Sequence, residues 1–309
     1  MTTIRIGTRA SALARAQSAL VADQLVALLG VEVELVNVLS DGDTSSRPLT
    51  EIGGQGVFVG AVREALVAGE VDLVVHSLKD LPTIHDDRIV LAAVPVRGDA
   101  RDALIARDGL TLGELPAGSR VGTGSPRRAA QLHALGLGLD VVPIRGNVDT
   151  RISKVASRDL DAVVLARAGL VRLGRADEIT ETIDPIQMLP APGQGALAVE
   201  VAASNDGLLG DVAGALDDVH TRAAVSAERT LLRVLEAGCS APIGALADIA
   251  EGDVGPELWL RGVVAALDGS HVVRLSAVGR ADDPEGVGRS LAHDLLAEGA
   301  ASLMQERAS

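Results

Sequence analysis

Strand-like and helix-like segments alternate along the first two thirds of the chain, and this alternation limits the possible folds more than any other feature. Ile4–Ile6 is typical of a short strand, and Ser11–Leu29 has apolar residues at helical spacing. Val31–Val38 predicts a second strand, and a helix at Val57–Val67 and a buried strand at Val71–Val75 continue the series. Because parallel strands need crossover helices, the pattern predicts an α/β unit with a mostly parallel sheet covered on both faces.

A second unit of the same kind begins near Arg101. The segment LPAPGQGA at 189–196 interrupts its pattern and is predicted to return the chain to the first unit. The predicted strands are Leu104–Ile105, Val121–Gly122, Val141–Ile144 and Ala162–Ala166. The predicted helices are Pro126–Leu135, Val148–Val155 and, after the interruption, about 207–216 and 220–236.

The last third of the chain has a different pattern. Leu258–Ala266 and His271–Val278 flank Asp268-Gly269, which predicts a β-hairpin, and a helix is expected over about 284–306. This is an α+β arrangement. The predicted domains are therefore residues 1–96 together with 196–215, residues 97–195, and residues 216–309.

The composition excludes several classes of function. The formal charge is −14 at pH 7, and Phe and Trp occur once each while Tyr is absent. Such a chain is unsuited to nucleic acids or anionic membranes, so neither partner is expected. A single cysteine allows no intramolecular disulfide and no multi-cysteine metal site, and no metal is expected. We expect a cytoplasmic protein, because the N-terminus does not resemble a secretory signal and no apolar run approaches the roughly 18–20 residues that cross a bilayer.

Six arginines lie at or near predicted strand ends or helix starts, where open α/β sheets bind ligands. They are Arg9, Arg127, Arg128, Arg145, Arg151 and Arg172. Arg127 and Arg128 follow the loop 122–126, whose backbone N–H groups open a helix, and such a start favours anions. Several guanidinium groups together suit a ligand with many carboxylates. The alternative is that each arginine pairs with a nearby Asp or Glu.

Lys79 and Asp80 follow the predicted strand at 71–75, a position where catalytic groups often lie. Asp80 could be a general acid or could stabilise a cation, and the alternative is a helix cap or a buried ion pair. In an extended segment the two side chains would point to opposite sides. Both therefore reach one site only if the chain turns there.

Cys239 follows a glycine and precedes a proline by three residues, which indicates a loop. A loop thiol can be a nucleophile or a covalent anchor, and the alternative is a small buried side chain. The glycine-rich segment 53–56 lacks the lysine of a phosphate loop, and 193–198 lacks the preceding strand of a dinucleotide site. Both glycine-rich segments are interpreted as turns.

Ten segments, taken in order along almost the whole chain, resemble the porphobilinogen deaminase (hydroxymethylbilane synthase) family. They are RIGTRASALARAQ (5–17), IGGQGVF (52–58), VDLVVHSLKDLPT (71–83), RDAL (101–104), VGTGSPRRAAQL (121–132), IRGNVDTR (144–151), ARAGLVRLG (166–174), LPAPGQGA (189–196), AERTLL (227–232) and EAGCSAPIG (236–244). Each segment alone is weak, but their shared order is specific.

The resemblance implies a fold and an activity. The family has two α/β domains like those of periplasmic binding proteins, and a C-terminal α+β domain that carries the cofactor cysteine. Its members are transferases of tetrapyrrole (haem) biosynthesis. They join four porphobilinogen molecules head to tail, each with loss of ammonia, on a covalently bound dipyrromethane primer. Hydrolysis then releases linear hydroxymethylbilane, and a monomer is the family expectation.

The resemblance also implies residue roles. Cys239 is expected to hold the dipyrromethane through a thioether, and Asp80 to be the catalytic carboxylate. Each pyrrole carries an acetate and a propionate, which accounts for many arginines in an acidic protein. The expected cofactor-binding residues are Cys239, Lys79, Ser125, Arg127, Arg128, Arg145, Gly146, Thr123 and Asp43. The expected substrate-binding residues are Arg9, Ser11, Gln17, Arg145, Arg151, Arg172 and Gln194.

The chain departs from the family pattern at three positions. Glu51 and Gln55 stand where relatives often carry lysines, and Gly124 stands where a serine is common. Asp80 and Cys239 are unaffected, so an active enzyme is expected. From the residues alone, two other functions remain open. One is a solute-binding or sensor protein that binds carboxylates reversibly, and the other is a cysteine hydrolase, which needs a histidine beside its thiol.

Overall fold

The structure is a computed structural model that describes residues 3–38, 56–235, 241–252 and 255–305. The strands are, in chain order, β1 (Thr3–Thr8), β2 (Glu32–Asn37), β3 (Leu73–Ser77), β4 (Ile89–Ala93), β5 (Asp102–Ala106), β6 (Arg120–Thr123), β7 (Asp140–Pro143), β8 (Ala162–Ala166), β9 (Glu181–Thr182), β10 (Leu197–Ala202), β11 (Ile243–Gly252), β12 (Gly255–Ala265) and β13 (Val272–Arg280). The α-helices are α1 (Ala12–Leu29), α2 (Gly56–Val67), α3 (Pro126–Ala134), α4 (Val148–Ala156), α5 (Arg167–Arg172), α6 (Asp206–Leu216), α7 (Val219–Val234), α8 (Pro284–Ala297) and α9 (Ala300–Gln305). Single 3₁₀ turns lie at Leu78–Asp80, Arg107–Gly109, Leu112–Glu114 and Ala176–Glu178.

The first of two compact units comprises Met1–Gly98 and Ala196–Arg222. Its sheet has the strand order β2-β1-β3-β10-β4, in which β1 is parallel to β2 and β3, and β10 is antiparallel to β3 and β4. Val21 and Leu25 of α1 belong to the same buried cluster as Leu73 of β3. The sheet and its covering helix thus share one aliphatic core.

The second unit comprises Asp99–Gly195 and Ala223–Ser309. One sheet has the order β7-β6-β8-β5-β9, in which β6 is parallel to β7 and β8, and β5 is antiparallel to β8 and β9. A separate antiparallel sheet, β11-β12-β13, packs against α7 and α8 through buried side chains such as Leu231, Leu260 and Leu291. The expected fold class is confirmed, with α/β sheets followed by an α+β part.

Each mostly parallel sheet contains one strand that is antiparallel to its neighbours, a direction that the sequence pattern did not indicate. These strands are β5 and β10, and each enters its sheet after a passage from the other unit, without a preceding crossover helix. A strand that is parallel to its neighbour requires such a crossover. Without one, these two strands are free to pair in the antiparallel direction. The pattern also did not indicate β4, β9 or β11, whose burial alternates weakly or whose length is short.

One expectation from the sequence is wrong. The single helix expected over 284–306 is two helices, α8 and α9, separated by Glu298 and Gly299, and the φ of +90° at Gly299 is incompatible with a continuous α-helix.

Among the described residues, α1 has the length and mean hydropathy of a helix that could cross a bilayer, although Arg15 and Asp23 interrupt its apolar residues. In the fold, however, α1 lies on the first sheet, and burial of Val21 and Leu25 accounts for part of its apolar character.

Candidate active site

The end of β3 presents Lys79 and Asp80 on a tight turn. β3 lies between β1 and β10 near the middle of its sheet, and the turn Leu78–Asp80 follows it directly. The backbone N–H of Leu78 donates to the carbonyl of Ala196 (3.1 Å), and the N–H of Leu81 donates to the carbonyl of Leu78 (3.1 Å). The chain therefore turns here, which is the condition under which both side chains can serve one site.

Asp80 is half-buried, and its surroundings perturb its protonation. Burial raises the pKa of the Asp80 carboxyl, while the nearby charges of Lys79 and Arg9 lower it, and the net shift is upward. A carboxyl with a raised pKa exchanges protons more readily near neutral pH than an exposed one. The arrangement suits a group that both stabilises positive charge and moves a proton.

Two polar residues expected to bind substrate make bonds within the first unit. The Ser11 hydroxyl caps α1 by accepting from the backbone N–H of Ala14 (3.3 Å). The Gln17 amide, 4% exposed, donates through Nε2 to the Ser77 hydroxyl at the end of β3 (2.7 Å). Gln17 thus ties α1 to the strand that carries Asp80.

A fully buried carboxylate, Asp102, organises the arginine pair of the second unit. Nη1 of Arg127 lies 2.8 Å from Oδ2 of Asp102, and Arg128 donates to Oδ1 through Nε (3.0 Å) and Nη2 (2.8 Å). Gln194 Nε2 donates to the same Oδ1 (2.8 Å) and to the carbonyl of Ala100 (2.7 Å). Burial opposes ionisation of Asp102, but the two guanidinium groups outweigh it and hold its pKa well below the usual range.

Arg127 and Arg128 can bind a further anion besides Asp102. Two guanidinium groups face one carboxylate, so the cluster carries a net charge of about +1, since arginine does not lose its proton in proteins. Burial lowers the pKa of Arg127, and its buried Nε has no hydrogen-bond partner in the described structure. The preceding loop is ordered by two caps, with Thr123 Oγ1 accepting from the N–H of Ser125 (3.2 Å) and Ser125 Oγ capping α3 at Arg128.

Three further arginines of the second unit, Arg145, Arg151 and Arg172, form no ion pair with a carboxylate of the described residues. Arg151 Nε donates to the carbonyl of Gly146 (2.8 Å), and Arg172 Nη2 donates to the carbonyl of Gly195 (2.6 Å). Burial lowers the pKa of both Arg151 and Arg172, and the charge of Arg128 adds to the shift of Arg151. Arg151 and Arg172 are partly buried and Arg145 is exposed, and cations that lack an anionic partner fit a ligand with several carboxylates.

Glycine is required beside these arginines. Gly146 has a φ of +106°, and a Cβ there would lie 2.9 Å from the Thr150 side chain. A Cβ on Gly124 would lie 2.7 Å from the backbone oxygen of Ile144. Compared with the serine that is common at this position in relatives, Gly124 lacks a hydroxyl and also lets two loops approach each other closely.

Two buried carboxylates in this region were not given a role from the sequence. Asp102 lies in the RDAL segment, and Glu228 lies in AERTLL. Glu228 is fully buried on α7 and accepts from the N–H of Gly193 (2.6 Å) and from the N–H of Ala247 on β11 (2.9 Å). The signal that could have revealed both is an acidic residue inside an otherwise apolar pattern. Cys239, Asp43, Glu51 and Gln55 lie outside the described residues.

Comparisons with known proteins agree across the chain. A family model described as porphobilinogen deaminase, dipyromethane cofactor binding domain, matches residues 4–209, and the model of the porphobilinogen deaminase C-terminal domain matches residues 222–297. Porphobilinogen deaminases of Mycobacterium tuberculosis and Mycobacterium bovis are 58% identical over 306 residues, covering 97% of this chain and 98% of theirs. That of Mycobacterium marinum is 57% identical and covers 97% and 96%.

Two solved structures are also similar to part of the chain. A periplasmic substrate-binding protein of an ABC transporter from Coxiella burnetii is 15% identical, with a TM-score of 0.45, and the match covers 69% of this chain and 91% of that one. The second VFT domain of BvgS from Bordetella pertussis is 16% identical, with a TM-score of 0.41, and the match covers 69% and 86%.

Proposed function

This chain belongs to the porphobilinogen deaminase family, and we propose from that premise which of its residues carry out the reaction. The enzyme is a transferase of tetrapyrrole biosynthesis that condenses porphobilinogen, with loss of ammonia, and forms hydroxymethylbilane. Its cofactor is a dipyrromethane attached covalently to a cysteine, and Cys239 is the single cysteine of the chain. When bound, this group supplies the nucleophilic pyrrole carbon to which substrate units are added.

The second unit fits the carboxylates of such a group. We assign its acetate and propionate side chains to Arg127 and Arg128, of which Arg127 has an unused buried Nε. Thr123, Ser125, Arg145 and Gly146 complete this set, because they form or flank the same loops. Lys79 and Asp43 are assigned to the cofactor as well.

Asp80 is the catalytic residue of the proposal, and its half-buried position on the turn after β3, with a raised pKa, is the observation that carries it. Its carboxylate accepts a hydrogen bond from the substrate pyrrole N–H. There it stabilises the positive charge that develops when the amino group leaves. In its protonated form, Asp80 gives a proton to the departing amine. The resulting carboxylate then takes up the proton that is released when the new link between two pyrroles forms.

The remaining arginines hold the substrate. Arg9, Arg145, Arg151 and Arg172 are proposed to bind the substrate carboxylates, each through paired N–H donors. Ser11, Gln17 and Gln194 are also proposed to line the substrate site. Because their side chains already bond to α1, β3 and Asp102, they would act chiefly by keeping charged neighbours in place.

We further propose that the protein acts as a monomer in the cytoplasm and binds neither nucleic acid nor membrane. Its domains are proposed to be residues 1–96 with 196–215, residues 97–195, and residues 216–309. The division into two compact units separates the first of these from the other two, with the boundary on the C-terminal side inside α7 rather than before it.

The first experiment measures the intact mass of the protein purified from cells and maps any excess to a peptide. The proposal expects an excess of two linked pyrrole units on the peptide that contains Cys239, and none in Cys239→Ser. If the native protein is unmodified, gains no adduct on incubation with porphobilinogen and binds carboxylates reversibly, a binding protein replaces the enzyme.

A second experiment tests the role of Asp80. Asp80→Asn should fold as wild type and lose turnover. Asp87→Asn, a fully exposed carboxylate nearby in the chain, is the control and should behave as wild type. Wild-type turnover in Asp80→Asn would refute the assignment.

A further inference from the structure

The carboxylate of Glu228 on α7 is fully buried, and no step described above uses it. Its Oε2 accepts from the backbone N–H of Gly193 at 2.6 Å, and its Oε1 accepts from the N–H of Ala247 on β11 at 2.9 Å. Bonds from backbone N–H groups to an ionised carboxylate are charge-assisted and stronger than bonds between neutral groups. One side chain therefore holds together two segments that are remote in the chain.

The two elements that Glu228 joins flank the cofactor cysteine in the sequence. Glu228 lies on α7, before Cys239, and Ala247 lies on β11, after it. The backbone binds β11 to the same region, because the N–H of Ala245 donates to the carbonyl of Pro190 (2.9 Å). The segment that leads to Gly193 is thus held by the helix and the strand on either side of Cys239.

Gly193 belongs to a buried turn over 192–195 that is fixed by its contacts with other elements. Gly193 and Gly195 have φ angles of +76° and +88°, which glycine adopts without strain. Glycine also constrains the backbone less than any other residue, so neighbouring groups must fix the turn. Two side chains do so: Gln194 donates to the buried carboxylate of the arginine pair, and Glu228 accepts from Gly193.

The last residue of the turn contacts Arg172. The carbonyl of Gly195 accepts from Nη2 of Arg172 at 2.6 Å, which occupies one of the five N–H donors of the guanidinium. A guanidinium is planar and rigid, so a bond at one amino group constrains the directions of the other donors. The position of the Gly195 carbonyl therefore governs how half-buried Arg172 presents its remaining N–H groups.

We propose that Glu228 is a positioning residue of the reaction, which fixes the turn at Gly193 so that the Gly195 carbonyl orients Arg172 for a substrate carboxylate. The inference rests on the role proposed for Arg172 in substrate binding. Glu228 itself does not touch the substrate. It acts through two residues of backbone and one hydrogen bond, and it ties the orientation of this arginine to the elements that flank Cys239.

The first test is a double-mutant cycle on KM in the holoenzyme. Glu228→Gln keeps the size of the side chain but replaces one acceptor oxygen with an NH₂ group, so that one of the two backbone N–H groups faces a donor. KM for porphobilinogen should rise about fivefold or more, with kcat within about threefold of wild type, because the loss concerns binding. In an Arg172→Gln background, the same change should raise KM less than about twofold further.

The matched control lies on the same helix. Leu231→Ala removes a fully buried side chain from the core between α7 and the C-terminal sheet. It should lower the unfolding midpoint at least as much as Glu228→Gln does, because it leaves a cavity. Its KM should stay within about twofold of wild type, since Leu231 makes no bond to the turn.

Amide hydrogen exchange, followed by NMR in the holoenzyme, gives a readout that does not depend on activity. The N–H of Gly193 should be protected in the wild-type protein and should exchange about tenfold faster or more in Glu228→Gln. In Leu231→Ala this amide should remain more protected than in Glu228→Gln. The wild-type measurement requires no variant to fold.

Three results would overturn the proposal. They are a wild-type Gly193 amide that exchanges as fast as an exposed one, a KM rise in Leu231→Ala equal to that in Glu228→Gln, and full additivity of the Glu228→Gln and Arg172→Gln effects on KM. If Arg172→Gln alone left KM unchanged, the substrate-binding role of Arg172 would fall, and the proposal with it. That outcome differs from additivity, in which Arg172 keeps its role and only the action of Glu228 through it is refuted.

Discussion

Replacing Asp102 by Asn removes a buried negative charge while keeping the shape of the side chain. In the native protein this carboxylate is fully buried and faces both Arg127 and Arg128. The substitution leaves two buried guanidinium groups without a counter-ion. Removing one partner of a buried ion pair typically costs about 3–5 kcal/mol, and we expect about 3 because the Asn oxygen can still accept from Arg128 and Gln194.

The chain offers a matched control in Asp99→Asn. Asp99 also contacts two arginines, Arg101 at 2.6 Å and Arg167 at 3.2 Å, but these arginines are 43% and 32% exposed. Such solvent-screened pairs contribute about 1 kcal/mol or less. At roughly 2–4 °C per kcal/mol, the unfolding midpoint should fall by about 6–12 °C for Asp102→Asn and by no more than about 4 °C for the control.

The assay is scanning calorimetry at pH 7, with both substitutions placed in the Cys239→Ser background so that cofactor loading does not differ. The effect also depends on pH in a defined direction. The pKa of Asp102 is lowered in the folded state, so its stabilisation is present above the unfolded value of about 3.9 and is lost as the pH falls below it. Equal midpoint shifts for the two variants at pH 7 would refute the reasoning.

Three further outcomes are expected. Asp80→Asn should lower kcat about 100-fold or more, and the wild-type decline of kcat at acid pH, set by the raised pKa of Asp80 above its ordinary value, should disappear in the variant's pH profile. Gly124→Ser should destabilise the protein by about 1–3 kcal/mol in urea unfolding because its Cβ would meet a backbone oxygen at 2.7 Å, whereas Gly113→Ser, with no atom within 4 Å, should not. Arg172→Gln should raise KM for porphobilinogen about tenfold or more in steady-state kinetics, whereas Arg175→Gln, which removes an arginine already paired with Glu178, should leave KM unchanged.

Local pattern was sufficient for most of the fold. Apolar periodicity over Ser11–Leu29 placed α1 to within one residue, because the helix period is a property of neighbouring residues. The direction of β5 and β10 was not predictable in this way. It depends on where the chain enters each sheet after leaving the other unit, and no residue of either strand encodes that.

In the candidate site, too, the sequence predicted some features and not others. The order of the motifs along the chain was enough to identify the family and to select Cys239 and Asp80 as candidate site residues, since these are statements about residue type and sequence position. The partners of the arginines could not be predicted from the order of the motifs. Arg128 meets Asp102 across 26 positions, and Arg63 meets Glu200 across 137.

By itself, then, the sequence indicated most of the helices and strands and which side chains are available for the chemistry. Only the tertiary structure decided which of those side chains carry a free charge. The physical reason is that burial and the distance between groups remote in the chain set electrostatic energies, and neither quantity exists until the sheets have assembled.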